Sequence, residues 1–270
     1  MASGSTAKTE TTTDSSQGGG ASGGISPLAW PLVAIRIVLM VALLLACVPP
    51  YYLWRIFRRE RFWPRLFLGG IGVIAGLRID VRGKPERRAL LIANHVSWLD
   101  IPALARASGT AFVAHSGLAS VQLIKHLCKM NDTVFVARHD KASVAEQVEQ
   151  VRIAFEETGV LTIFPEGTTS DGLNLLPFKS SLLSAAEKLP EGTPIQPVLL
   201  AYDEAPEIAW VGDEHGVRNF VRILSRIRPI RLTLWFMPSL AGEERQNRKA
   251  IAAAAQRSIE AALPAARGLP

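Results

Sequence analysis

Apolar and polar positions change rhythm along this chain, and each rhythm predicts a different kind of element. Residues 27–48 are apolar with Arg36 as the single charged position. The run is long enough for one membrane-crossing helix, which needs about 20 residues. Pro49 and Pro50 are expected to break that helix, and Tyr51, Tyr52 and Trp54 follow as an interfacial aromatic cluster. Arg36 must snorkel, or hold part of the segment in the interface. A second apolar stretch, residues 62–77, is short and carries Pro64, Gly69, Gly70, Gly72 and Gly76. It reads as re-entrant, interfacial or packed on the domain that follows, and not as a second span.

From residue 78 onward, short apolar runs alternate with helical periodicity. Strands are expected at 78–82, 89–93, 111–114, 133–136, 160–164, 195–202 and 230–236, and helices at 101–107, 120–130, 141–157, 182–189 and 246–263. In the helix at 141–157, Val144, Val148, Val151 and Phe155 share one face, and Gly159 caps it. Strands alternating with helices imply an α/β fold, a mostly parallel sheet flanked by helices and preceded by N-terminal hydrophobic membrane-associated helices. Three regions result. Residues 1–26 form a tail of Ser, Thr, Gly and Ala, too poor in large apolar groups to order itself. Residues 27–77 form a hydrophobic membrane-anchoring region, and residues 78–265 the α/β domain.

Composition sharpens the membrane reading. The mean hydropathy is +0.18 and the isoelectric point is near 9.6, with a formal net charge of +6. A basic, apolar protein suits anionic lipid surfaces. No nucleic-acid recognition motif accompanies the charge, so no nucleic acid is expected as a partner. Arg55, Arg58, Arg59, Arg61 and Arg65 follow the first apolar run, which places that side in the cytoplasm by the positive-inside rule. The two cysteines, Cys47 and Cys128, support neither a disulfide framework nor a zinc site.

The candidate chemistry lies where strands end. The run 89–93 stops at Asn94-His95, and Asp100 follows five residues after the histidine. With a helix beginning near Val96–Ser97, Asp100 lies about one turn further on. Its carboxylate can then fold back to one imidazole nitrogen and leave the other free as a base. The strand at 133–136 leads to Arg138, a fixed positive fork suited to phosphate or carboxylate. The strand at 160–164 leads to Pro165-Glu166-Gly167-Thr168-Thr169, whose backbone N–H groups and hydroxyls form a polar turn. In a parallel sheet such ends converge on one edge.

The order Asn94-His95-x-x-x-x-Asp100, Val134-Phe135-Val136-Ala137-Arg138, Phe164-Pro165-Glu166-Gly167-Thr168 and Ile195-Gln196-Pro197-Val198 resembles the four blocks of the glycerophospholipid acyltransferases, the lysophosphatidate acyltransferase family. The resemblance implies transfer of a fatty acyl group from an acyl-CoA or acyl carrier protein thioester to a lysolipid hydroxyl, with no further cofactor and no metal. It makes His95 the general base and Asp100 its orienting partner. Arg138, Glu166, Gly167, Thr168 and Lys179 would hold the acceptor. Membrane lipids would be partners, and the enzyme would sit on the cytoplasmic (inner) membrane with its catalytic domain facing the cytoplasm. Two positions depart from the family pattern: Thr169 stands where the third block usually has arginine, and Asp132 where the second usually has glycine. The expected acceptor is 1-acyl-sn-glycerol-3-phosphate. A lyso-ornithine lipid is the alternative, because residues 166–180 look like that branch. Non-catalytic lipid binding is the rival of another class. A lipid hydrolase would want a G-x-S-x-G elbow, which Ser97 and Ser116 lack.

Overall fold

The computed structural model describes residues 26–55, 62–115, 134–136 and 144–268. Its strands are β1 (Leu77–Arg82), β2 (Ala89–Ala93), β3 (Ala111–His115), β4 (Val134–Val136), β5 (Val160–Ile163), β6 (Ile195–Tyr202) and β7 (Ile230–Phe236). They form one sheet in the order β1-β7-β6-β2-β5-β3-β4. All neighbours pair parallel except β6 and β7, which pair antiparallel. The mostly parallel α/β expectation holds.

The centre of the sheet is β2, and all five of its residues are fully buried. Both of its faces are covered, which is why its sequence is continuously apolar and not alternating. The pleat still divides the side chains. Ala89, Leu91 and Ala93 join one core cluster, whereas Leu90 and Ile92 join the other. The first cluster lies under α2 (Phe62–Ala75) and α3 (Asp100–Ser108) and takes in residues of α1 (Trp30–Arg55). The second lies under α4 (Val144–Thr158) and the final helix, Arg248–Ala266. Of residues 182–189, expected as an α-helix, all but Leu189 lie in a 3-10 segment spanning Ser180–Lys188. Two helices escape the sequence pattern: α5 (Ala205–Ile208) and α6 (Gly216–Leu224). The first is a single turn, too short for a period; the second does repeat apolar residues at helical spacing (Val217, Phe220, Val221 and Leu224), a signal the sequence reading missed. The final helix is α7.

Two expectations about the N-terminal region are corrected, and a third is narrowed. First, α1 does not end at Pro49-Pro50 but runs through both. A helix with a largely apolar surround tolerates the two lost donors because backbone adjustment and neighbouring groups re-satisfy the freed carbonyls. Second, Arg36 does not snorkel outward. Its Nη1 donates to the carbonyls of Leu224 and Arg226, both at 2.9 Å. A helix end leaves carbonyls without intrahelical partners, and here α1 supplies the missing donor to the end of α6. Of the three readings open for the second apolar stretch, packing on the domain is the one observed: in α2, Gly72 lies against Leu77 and Pro102, and Gly70 against Leu43 of α1. A Cβ at Gly70 would fall 2.5 Å from Leu43 Cδ2, so glycine here lets the two helices approach.

Val33, Met40 and Cys47, seven residues apart, are buried along one side of α1. Its remaining surface, including Ile35, Val38 and Leu45, is exposed and apolar. In the most apolar window of this helix only 17% of residues are buried. By length and composition the helix is able to cross a membrane. The expected tail, apart from Ser26, lies outside the described residues, as do the expected helix at 120–130 and Arg138.

Candidate active site

The chain leaves β2 at Ala93 and makes an irregular turn before α3 begins at Asp100. The helix therefore starts three to four residues later than the expected start near Val96–Ser97. Asp100 is its first residue, and the carboxylate points back over the turn. Asp100 Oδ2 accepts from the backbone N–H of Val96 at 2.7 Å and of Ser97 at 3.0 Å. The same oxygen meets His95 Nδ1 at 2.7 Å. The carboxylate is fully buried, while 21% of the imidazole is exposed. An ionised carboxylate on Nδ1 selects the tautomer with its proton there. Nε2 is then a lone-pair base on the open side of the ring.

Two contacts that the sequence did not announce complete this pair. Tyr202, at the end of β6, donates its hydroxyl to Asp100 Oδ1 at 2.7 Å. Burial, followed by the Asp100 charge and that hydrogen bond, pushes the Tyr202 phenol well above its ordinary range, so it stays a donor. The imidazole lies on the Phe164 ring with centroids 4.2 Å apart and planes 19° apart. Phe112 continues the stack below Phe164 at 6.2 Å. The imidazole is thus fixed at its Nδ1 edge and across one face.

The third-block turn grips the His95 backbone. Glu166 Oε1 accepts the His95 N–H at 2.8 Å, and Oε2 accepts the Leu176 N–H at 3.1 Å. Ser170 donates both its N–H, at 2.7 Å, and its hydroxyl, at 3.1 Å, to the His95 carbonyl. Glu166 is 1% exposed. Burial pushes its carboxyl up, and the amides of His95 and Leu176 pull against that. Gly167 holds a positive φ of 72° at the turn, which glycine adopts without a Cβ penalty. Thr169, at the position where an arginine was expected, gives its hydroxyl to the Trp210 carbonyl. The Trp210 N–H in turn bonds the Val96 carbonyl at 3.0 Å. Asn94 fastens β2 to β6 through reciprocal bonds with Leu200, at 2.9 and 2.7 Å.

Of the sequence-derived site residues, His95, Asp100, Glu166 and Gly167 therefore meet at the C-terminal edge of β2 and β5. Thr168 and Lys179 have exposed side chains. Lys179 is held beside the turn by its backbone N–H on the Pro165 carbonyl at 2.9 Å. Among the described residues, no three His, Cys, Asp or Glu side chains group as a metal site.

Comparison with known proteins accords with this geometry. The acyltransferase family model matches residues 78–201. A lyso-ornithine lipid O-acyltransferase of Rhizobium meliloti is 32% identical over 241 residues, covering 82% of each chain. A 1-acyl-sn-glycerol-3-phosphate acyltransferase of Neisseria meningitidis is 33% identical over 138 residues, 49% of this chain and 53% of that one. The crystal structure of the 1-acyl-sn-glycerophosphate acyltransferase of Thermotoga maritima shares the fold, with a TM-score of 0.62 at 20% identity over 87% of this chain and 94% of that one. The chain belongs to the lysophospholipid acyltransferase family and is an acyltransferase.

Proposed function

We propose that this acyltransferase moves a fatty acyl group from an acyl-CoA or acyl carrier protein thioester to the hydroxyl of a lyso-ornithine lipid. The observation that carries the chemistry is the His95–Asp100 pair, with Nδ1 engaged at 2.7 Å and Nε2 left open. His95 Nε2 takes the proton of the acceptor hydroxyl, and the oxygen attacks the thioester carbonyl. The tetrahedral intermediate collapses, the C–S bond breaks, and the imidazolium returns its proton to the departing thiolate. Asp100 orients the imidazole and balances its transient charge.

The acceptor order expected from sequence is reversed in this proposal. A lysophosphatidate phosphomonoester carries nearly two negative charges, and guanidinium groups are its natural partners. At the third-block position Thr169 supplies only a hydroxyl, and that hydroxyl is spent on the Trp210 carbonyl. The relative with 82% mutual coverage bears the lyso-ornithine name. Lysophosphatidate is the second reading, favoured by the Neisseria relative. Arg138 and Lys179 would then meet the phosphate. The test is a competition between the two lysolipids in one assay with a single acyl thioester. Preferential acylation of lysophosphatidate would overturn the first reading.

The site faces the cytoplasm at the inner membrane in this proposal. The exposed apolar surface of α1 meets lipid while Val33 and Arg36 stay docked on the domain. Such docking favours a helix lying along the membrane face over one that leaves the domain to cross. Protease accessibility of an epitope at residue 1 in spheroplasts distinguishes the two. Cleavage from the outside would show crossing.

A further inference from the structure

A cavity of about 860 Å³ opens where α1, α2 and β1 meet. His95, Asp100, Glu166 and Lys179 do not line it. Three arginines do: Arg36 from α1, Arg78 from β1 and Arg106 from the last turn of α3. Its remaining walls are largely apolar, including Val73, Ile79 and Ile227. No carboxylate lines it. Arg36 uses Nη1 on the end of α6 and lies with Nη2 over Gly76, where a Cβ would come within 3.2 Å. Arg78 and Arg106 make no ion pair or side-chain hydrogen bond among the described residues. This contrasts with Arg82, Arg152, Arg222 and Arg226, which are all paired with carboxylates. Val73 and Ile227 are exposed at this place, on the same side of the sheet as α1.

Uncompensated guanidinium groups set among exposed apolar side chains, next to a helix with an apolar outer surface, match one kind of ligand. It has an anionic head, an apolar body and a location at the membrane surface. We propose that this cavity is a second lipid site, separate from the catalytic one, and that it holds the phosphate of an anionic membrane phospholipid between Arg78 and Arg106. Arg36 forms the inner wall and the acyl chains lie along Val73 and Ile227. The site ties the enzyme to anionic regions of the leaflet. It does so at the junction where α1 joins the catalytic domain, and it does not depend on which lysolipid is the acceptor.

The test uses the purified full-length protein in neutral detergent and native mass spectrometry, titrating phosphatidylglycerol, phosphatidylcholine and inorganic phosphate in separate arms. One phosphatidylglycerol is expected per protein, with phosphatidylcholine much weaker. The double variant Arg78→Gln/Arg106→Gln is expected to lose at least about tenfold in affinity, as the loss of charge-assisted bonds requires. A control of equal charge, Lys249→Gln/Arg257→Gln on exposed positions of α7, is expected to change affinity less than about twofold, because it leaves the cavity intact. Equal losses in both variants would reduce the effect to overall charge and overturn the site. Inorganic phosphate displacing phosphatidylglycerol at matching concentration would overturn the lipid. Unfolding curves for both variants are expected to overlay the parent curve, since Arg78 and Arg106 are exposed. If the double variant is misfolded, Ile227→Asp, on an exposed side chain, replaces it. That variant should lose phosphatidylglycerol, and unchanged binding in it overturns the proposal.

Discussion

Tyr202 and Asp100 stand 102 residues apart in sequence and 2.7 Å apart in space, the phenol hydroxyl on Asp100 Oδ1. With the Val96, Ser97 and His95 contacts on Oδ2, this gives the buried carboxylate four partners. Removing the phenol hydroxyl in Tyr202→Phe leaves Oδ1 without its donor, at a cost of about 1–3 kcal/mol. The expected outcome is a lower midpoint in thermal unfolding and a reduced kcat with KM nearly unchanged, since Tyr202 is buried and meets no substrate. A variant equal to the parent in both measurements would contradict this positioning role.

His95→Ala removes the only base in the pair. Acyl transfer is expected to fall about 10²–10⁴-fold, the worth of general-base catalysis. Asp100→Asn keeps the shape. Its amide oxygen can stay on the three donors at Oδ2 while its NH₂ turns to the Tyr202 oxygen, so it loses charge more than geometry. Its rate is expected to fall no further than that of His95→Ala. Steady-state kinetics of the folded variants checks the order, and a larger loss in Asp100→Asn than in His95→Ala would reverse it.

Glu166 links stability to pH. Burial raises its carboxyl above the ordinary range in the folded protein. The folded state therefore binds the proton more tightly than the unfolded chain. The resulting stabilisation is complete below the unfolded value, about 4.3, and is lost as pH rises through the folded one. Glu166→Gln is expected to flatten this component of the stability–pH curve above pH 4 while keeping an acceptor for the His95 amide. Glu166→Ala leaves the amides of His95 and Leu176 without their partners, at about 1–3 kcal/mol each. Chemical unfolding at several pH values separates the three proteins.

Arg36→Met keeps the length of the side chain and removes both bonds to the end of α6. Charged hydrogen bonds of this kind contribute about 1.5–3 kcal/mol. The variant should unfold at lower temperature with kcat at the permissive temperature little changed. An unaltered midpoint would show that the Leu224 and Arg226 carbonyls find other donors.

The sheet was legible because most of its strands are short apolar runs bounded by turn residues, β2 being the clearest case, while β1 shows as an alternation of apolar and charged positions. The His95–Asp100 pair was legible from the joint order of the strand-end motifs and the family resemblance, not from spacing alone, and the reason for the spacing was not legible. Asp100 does not sit one turn into a helix; it opens the helix and closes a ring over residues 95–97. Glu166 was readable as a site residue, yet nothing local told that both its oxygens serve backbone amides. Tyr202, Phe164 as a ring platform and the Arg36 contact to α6 all depend on segments distant in sequence. Such pairings leave no periodic trace. α5, a single turn, is too short to show one, whereas α6 shows one at Val217, Phe220, Val221 and Leu224 that was overlooked.

Val33 and Met40 of α1 belong to the same buried cluster as Leu91 of β2 and Val198 of β6. The apolar N-terminal helix and the part that houses the chemistry consequently share one core. A chain truncated before α2 would lose a wall of its own interior. Whatever surface α1 presents outward, its inward side is therefore part of the scaffold that holds β2 and the residues at its end.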